Sequence, residues 1–243
     1  MIVHDVQQGG SKWLSLRAGI PSASQFSRII TPSGGKSKSW EPYLYELLGE
    51  RIQRHPAIEA PSLWWANRGK ELEPQAIQFY ELTRGVETSP IGFITSDDGR
   101  RGASPDRRVV GVNGICEFKC QKESLHMMFL MQSGLAYEEH RIQVQGQLNV
   151  CKDMEWDDLV SYHPELPVSI ARCVREPEFQ AKLDSLLTKF SDELDEKWEF
   201  CKAQGWTTEA AVQEEASKDK FSQSSVLDAV RSALIDTQKA CGE

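Results

Sequence analysis

Residues 104–120 constrain this chain more than any other stretch. Ser104-Pro105-Asp106-Arg107-Arg108-Val109-Val110 leads into Gly111-Val112-Asn113-Gly114, and Ile115-Cys116-Glu117-Phe118-Lys119-Cys120 follows. The two valines favour extended backbone and the Gly/Asn-rich tetrapeptide carries turn chemistry, so the segment predicts two short strands joined by a turn. Side chains alternate across a strand. Cys116, Phe118 and Cys120 therefore share one face, which reads as the core face. Ile115, Glu117 and Lys119 share the other.

That second face places a carboxylate beside an ammonium, with Asp106 delivered from the neighbouring strand. Two acidic oxygen donors converging on one point suit a hard cation such as Mg²⁺ or Mn²⁺. A lysine next to them can orient or help deprotonate a coordinated water, or stabilise charge on a phosphate in the transition state. An isolated Glu-x-Lys arises about once by chance in a chain of this size, and alone it reads as a surface ion pair. The upstream Pro-Asp, the turn and the polar strand face together favour the metal site.

Composition limits the alternatives. The 243 residues suffice for one sizeable core with an appendage. Met1-Ile2-Val3-His4-Asp5 has neither the basic start nor the apolar run of a secretion signal. No stretch approaches the ~20 apolar residues of a membrane span. The six cysteines show no C-x-x-C pair and no Cys/His ligand spacing, so they read as reduced cysteines of a cytosolic protein, and no cysteine quartet is present for an iron–sulfur cluster. The net charge of −8 is unevenly placed: residues 1–130 carry 16 Lys+Arg and 14 Asp+Glu, and residues 131–243 carry 12 and 22. Phosphate contacts need a basic groove rather than a basic protein, so the overall sign does not exclude DNA.

Along the chain, Trp13-Leu14-Ser15-Leu16-Arg17 precedes Gly19-Ile20-Pro21-Ser22-Ala23-Ser24-Gln25-Phe26. Ser22 with Gln25 reads as the N-cap of a helix whose apolar face holds Phe26, Ile29 and Ile30. Hydroxyls, free N–H groups and a guanidinium make this an anion site as well as an ordinary capped helix. Residues 32–38 are a basic loop; Gly34-Gly35-Lys36-Ser37 lacks the spacing and the preceding strand of a P-loop. Apolar periodicity predicts helices over 39–54, 62–84 (interrupted or kinked at Pro74), 122–132 and 137–152, and a long one reaching about 203. Strands are predicted at 86–95, 156–163 and 168–175. Arg100, Arg101, Arg107 and Arg108 flank the Asp-containing turn.

Ser-Pro-Asp, a short hairpin and Glu-Phe-Lys resemble the core of the PD-(D/E)xK nucleases. Within that superfamily the chain is similar to the phage lambda exonuclease family, the YqaJ-type viral recombinases or alkaline exonucleases of phage recombination. The likeness runs over about residues 10–203. Its Arg68-Gly69-Lys70-Glu71-Leu72-Glu73 resembles the family's first nuclease motif, with the acid on Glu73 and Glu71 a solvated neighbour. Gln143-Val144-Gln145 matches the third motif and sets the active-site glutamine at Gln143, with Gln147 one turn along. The Trp13–Ser24 run is similar to W-x-x-x-R-x-G-x-x-(S/T)-A-S. The resemblance implies an α/β restriction-endonuclease-like core, a mixed central sheet flanked by helices, with a C-terminal helical extension. It also implies Mg²⁺-dependent 5′→3′ digestion of one strand of linear duplex DNA to mononucleotides, leaving 3′ single-stranded tails for strand-annealing recombination. Asp106, Glu117 and the Phe118 carbonyl would hold two Mg²⁺ ions, for which Mn²⁺ can substitute. Lys119 and Gln143 would position the attacking water, and Glu73 would assist. Arg17, Ser24 and Ser104 would hold the 5′-phosphate.

The family further implies a homotrimeric ring around DNA, a phage single-strand annealing protein as partner, and cytoplasmic location in a bacterial host, encoded by a phage or prophage. The chain departs from the family where an arginine six residues after the catalytic lysine contacts the phosphate: Leu125 stands there, leaving Lys122 and His126 as replacements. The nuclease domain is expected over 1–205 and the helical extension, packed on the same domain, over 206–243. Two other readings stay open. One is a different PD-(D/E)xK repair nuclease or structure-specific endonuclease; the other is a non-catalytic DNA-end-binding protein.

Overall fold

The computed structural model describes residues 1–54 and 63–207, without the side chains of residues 63–67, 133, 135 and 136. Strand β6 (Gly114–Lys119) lies at the centre of a five-stranded sheet in the order β2 (Thr88–Pro90), β5 (Arg107–Val109), β6, β7 (Trp156–Ser161), β8 (Ser169–Val174). Only β6 and β7 run parallel, and every other pairing in this sheet is antiparallel. Parallel neighbours need a crossover. Here it consists of α4 (Glu123–Met131) and α5 (Ser133–Val150).

A parallel pair with its crossover is covered on both faces, and this corrects the reading of a single core face. On one face Cys116 and Phe118 join Val109, Val160 and Tyr162 against Ala76 and Tyr80 of α3 (Leu63–Arg84). On the other, Ile115 is fully buried and Glu117 is 5 % exposed. Their face receives the side chains of α5. The alternation is read correctly, but both of its faces are interior.

Other elements differ in detail from the periodicity. The strand predicted at 86–95 divides between two sheets. Thr88–Pro90 pairs with β5, whereas β3 (Phe93–Thr95) joins β1 (Ile2–His4) and β4 (Gly102–Ala103) in a separate three-stranded sheet. Pro90 has no N–H to continue a ladder, so the first strand ends there. The predicted helix after Ser22 is a six-residue 3₁₀ turn over Ala23–Arg28, with Phe26, Ile29 and Ile30 buried as expected. Helix α2 covers Trp40–Gln53, and α3 continues through Pro74 as one helix. Helix α5 begins at Ser133 rather than 137, and α6 spans Pro177–Ala203. A seven-residue α1 (Ser11–Arg17) precedes the 3₁₀ turn.

The 3₁₀ turn packs on α5 at Gly146, where a Cβ would come within 2.6 Å of the Phe26 ring. This close approach sets the Arg17–Ser24 segment beside the glutamines of α5. The chain divides into two units, Met1–Lys197 and Trp198–Glu243. Of the second, the described part is the end of α6 and the residues to 207, where Trp206 stands edge-on to Phe200 with centroids 5.7 Å apart. The helical extension expected over 206–243 otherwise lies outside the described residues. Among the described residues the cysteines are free and no helix is long and apolar enough to cross a membrane.

Gly114 tests the packing at the head of β6. A Cβ there would stand 2.1 Å from the Trp156 ring, which is held by Arg172 at 3.7 Å over its face, and Arg172 in turn pairs with Asp158. Gly114→Ala is expected to lower stability by about 1–3 kcal/mol through overpacking, read as a fall in the urea midpoint with unchanged slope.

Candidate active site

The site begins where β5 ends. Its pairing with β6 stops at Arg107 opposite Cys116, and Asp106 N donates to the Cys116 carbonyl at 3.1 Å. Residues i and i+2 of a strand share an edge, so the next N–H on that edge belongs to Phe118. With no strand to pair it, this N–H donates to Asp106 Oδ2 at 2.6 Å. The Phe118 carbonyl lies on the same edge by the same period. The sequence-predicted Asp106, Glu117 and Phe118 are thus brought together by the premature end of one strand.

Glu117 is held by three donors. Lys119 Nζ reaches Oε1 at 2.8 Å, Gln143 Nε2 reaches Oε1 at 2.6 Å, and Gln147 Nε2 reaches Oε2 at 2.6 Å. Gln143 Oε1 accepts from Lys119 Nζ at 3.1 Å, which closes a triangle. A carboxylate only accepts and an ammonium only donates, so both amide orientations are dictated by their neighbours.

Asp157, on β7 opposite Ile115, is fully buried and neither of its oxygens has a hydrogen-bond partner among the described residues. Its neighbour Asp158 points to the opposite face. There it accepts from Tyr80 at 2.8 Å and from Arg172 Nε and Nη2 at 2.9 Å each. One acid of the pair is neutralised; the other is not. Burial, then the charges of Glu117 and Asp106, push the Asp157 carboxyl well above the usual carboxylate range. Asp106 is raised well above its usual value by burial and by Glu117. Glu73 is half-buried and raised by burial and by Glu117, opposed by Arg107 and Lys70, whereas Glu71 is exposed. Burial opposes the Lys119 charge, but the attraction of Glu117, Asp106 and Asp157 outweighs it and its pKa is raised.

Three carboxylates, those of Glu117, Asp106 and Asp157, therefore bear on the one Lys119 ammonium. Among the described residues no three His, Cys, Asp or Glu side chains form a ready metal cluster. Mg²⁺ does not need one, because it is usually bound by one or two carboxylates and keeps several waters. The all-oxygen donor set of Asp106, Glu117 and the Phe118 carbonyl, short of positive charge, fits such an ion.

Glu117, Lys119, Gln143 and Gln147 also line a cavity of about 260 Å³, together with a second group made up of Trp13, Arg17, Ser22, Ser24 and Ser104. Trp13 Nε1 donates to Ser104 Oγ at 3.0 Å, and the Arg17 guanidinium lies 4.1 Å over the indole. Arg17 Nη2 reaches Ser22 Oγ at 3.4 Å, with Ser24 Oγ 3.4 Å beyond. Ser22 therefore does not cap a helix with its side chain, as the sequence predicts; its hydroxyl faces the guanidinium instead. Burial lowers the Arg17 pKa, and no carboxylate among the described residues forms an ion pair with it. A desolvated cation with no carboxylate in ion-pair contact among the described residues, backed by hydroxyls, suits an anion. Gln8 ties this wall to the turn, donating to the Ile91 and Pro105 carbonyls at 2.8 Å each.

Other candidates lie elsewhere. His126 is fully buried, its Nε2 donating to the Pro167 carbonyl at 2.9 Å while Nδ1 accepts from Ser161 at 2.7 Å. Lys122 is exposed at the start of α4. Neither replacement for the missing arginine lines the cavity. Arg100 pairs with Asp192 and Asp195, Arg101 with Asp184, and Arg107 donates to Thr88, so three of the four flanking arginines are committed to the scaffold. Gln8 and Asp157 carry no spacing signal. Two acids inside the otherwise apolar stretch 156–160 are the one local hint of Asp157.

Residues 12–153 match the YqaJ-like viral recombinase domain. No curated protein matches the chain. Among solved structures, the alkaline exonuclease from Laribacter hongkongensis is 28% identical with a TM-score of 0.70, covering 81% of this chain and 98% of its own. It has also been solved in complex with dAMP. A phage-related exonuclease from Haemophilus somnus is 18% identical with a TM-score of 0.57, covering 73% of this chain and 96% of its own, and shares the fold. With the family's domain spanning more than half its length, including the whole Asp106–Lys119 hairpin, the chain belongs to the YqaJ-like viral recombinase family.

Proposed function

We propose that this protein is a Mg²⁺-dependent 5′→3′ exonuclease that digests one strand of linear duplex DNA to mononucleotides. A nuclease role in recombination follows from the family; the direction, the metal and the substrate are our reading. The observation that carries it is the presence of the Glu117–Lys119–Gln143 triangle and the Arg17–Ser24–Ser104 group in the lining of one cavity. A reacting phosphodiester and a terminal phosphate one nucleotide away need such a pair of sites.

In this reading Asp106, Glu117 and the Phe118 carbonyl hold two divalent ions, with Mn²⁺ able to replace Mg²⁺. Bound there, such ions supply Lewis-acid polarisation of the phosphate and lower the pKa of a coordinated water. Lys119 stays an ammonium at neutral pH, because its raised pKa reflects the acids around it. As an ammonium it donates, either to the attacking water that it and Gln143 position or to charge developing on the phosphate. Gln143 fixes the direction of Nζ, and Glu73, whose carboxyl is raised by burial and by Glu117, would assist at the second ion. Arg17, Ser24 and Ser104 take the terminal 5′-phosphate and set the register of each cut. The 3′ single-stranded tails left behind would pass to a single-strand annealing protein. By the same family relation we propose a homotrimeric ring in the cytoplasm of a bacterial host.

Linear duplex labelled at either the 5′ or the 3′ end tests the reading. Early release of the 5′ label as mononucleotide, abolished by EDTA and by Asp106→Ala, is the expected result. Cutting of covalently closed circular duplex would contradict it. A second experiment isolates the anion wall. Arg17→Ala is expected to reduce the rate ratio between 5′-phosphorylated and 5′-hydroxyl ends to about one, since the charge-assisted contacts to the terminal phosphate are lost. An unchanged ratio would remove Arg17 from that role.

A further inference from the structure

Gln147 follows Gln143 by one turn of α5 and is 1 % exposed. Its NH₂ group must face the Glu117 carboxylate, which only accepts, and Nε2 donates to Oε2 at 2.6 Å. This fixes where the amide oxygen goes. Gln147 Oε1 is buried, receives no hydrogen bond among the described residues, and belongs to a side chain that lines the 260 Å³ cavity. A buried amide oxygen without a donor is unfavourable, so the arrangement calls for a donor from outside the chain.

The chemistry of the cavity narrows that donor. A phosphate dianion offers acceptors only and would oppose the amide oxygen. Lys119 is committed to Glu117 and Gln143. Water remains. On the other side of the same amide, Glu117 Oε1 already accepts two hydrogen bonds, from Lys119 and Gln143, while Oε2 accepts one, from Gln147. Only Oε2 keeps an open lone pair.

Resting on the reading that Asp106 and Glu117 hold a divalent ion, we propose that Gln147 is a positioning residue for that ion. Its Nε2 holds Glu117 at Oε2, the oxygen whose remaining lone pair would be open to the ion. Its Oε1 would accept from a water that enters with the ion. The Asp106–Glu117–Lys119 set does not by itself determine the orientation of Glu117; the helix behind it does.

Groups that orient metal ligands typically contribute about 10–100-fold to metal affinity. The test is Mn²⁺ binding to the full chain without DNA, followed by electron paramagnetic resonance, for wild type, Gln147→Met, Gln147→Asn and Asp106→Asn. Gln147→Met keeps the volume and removes both polar atoms. Gln147→Asn keeps an amide that is too short to reach Glu117, and it answers the question if the Met variant does not fold. Both are expected to bind Mn²⁺ about 10–100-fold more weakly. Both should also need correspondingly more Mg²⁺ for half-maximal digestion while approaching the wild-type rate at saturation. Mn²⁺ affinity within twofold of wild type in the folded variants, with Asp106→Asn still impaired, would overturn the role of Gln147 alone. Equal binding by wild type and Asp106→Asn would overturn the metal reading beneath it.

Discussion

The structure depends on one electrostatic constraint, the burial of carboxylates around a single ammonium. Glu117 lies inside the protein because β6 is the parallel neighbour of β7 and is covered on both faces. A carboxylate in that position needs donors, and Lys119, Gln143 and Gln147 supply them. That requirement explains why α5 presents amides rather than leucines to the sheet. It also links the helix to the hairpin, since any shift of α5 along β6 would strand one of these groups. Asp106 and Asp157 then add carboxyls that form no ion pair among the described residues, and both are raised. Asp106 lies at the open edge left by β5, where a cation would offset its charge.

The second organising feature is the approach of the 3₁₀ turn to α5 at Gly146. It brings residues separated by more than a hundred positions, Arg17 and Ser24 together with Gln143 and Gln147, into the lining of one cavity. The Arg17–Ser24–Ser104 wall is held by few direct bonds: the Trp13 indole on Ser104, the Arg17 guanidinium on that indole, and Gln8 on the Ile91 and Pro105 carbonyls. A guanidinium supported by a ring and hydroxyls, with no carboxylate in an ion pair with it, is more available to a phosphate than one already paired.

Much of the site was legible in the sequence because its parts are local. Asp106, Glu117 and Lys119 lie on one hairpin, and the period of two places them without knowledge of the fold. Gln143 and Gln147 share a helix face by the same kind of argument, at a period of 3.6. Strand limits at β7 and β8 and the helices from α2 to α6 followed from apolar spacing to within a few residues. What could not be read depends on pairing between distant segments. Nothing in residues 86–95 tells that Thr88–Pro90 and Phe93–Thr95 join different sheets. The Ser22 hydroxyl has a standard capping pattern in sequence, yet Arg17 claims it in space. Asp157 and Asp158 are indistinguishable as neighbours, and only the sheet decides that one meets Arg172 and the other meets the acids of the site. The flanking arginines were chemically plausible phosphate ligands, but acids on α6 hold Arg100 and Arg101.

The most direct measurement of the central claim is the thermal midpoint of metal-free wild type and Asp106→Asn, each with and without Mg²⁺. At neutral pH the raised Asp106 pKa means that its charge opposes folding, so removing the charge should raise the metal-free midpoint. For wild type, Mg²⁺ at about a hundred times its dissociation constant should contribute about 2.7 kcal/mol. This corresponds to a rise of about 5–10 °C for a chain of this size. Asp106→Asn should start higher and respond little. A wild-type midpoint indifferent to Mg²⁺, or an equal rise in Asp106→Asn, would contradict the claim that this buried charge is arranged to be neutralised by a cation.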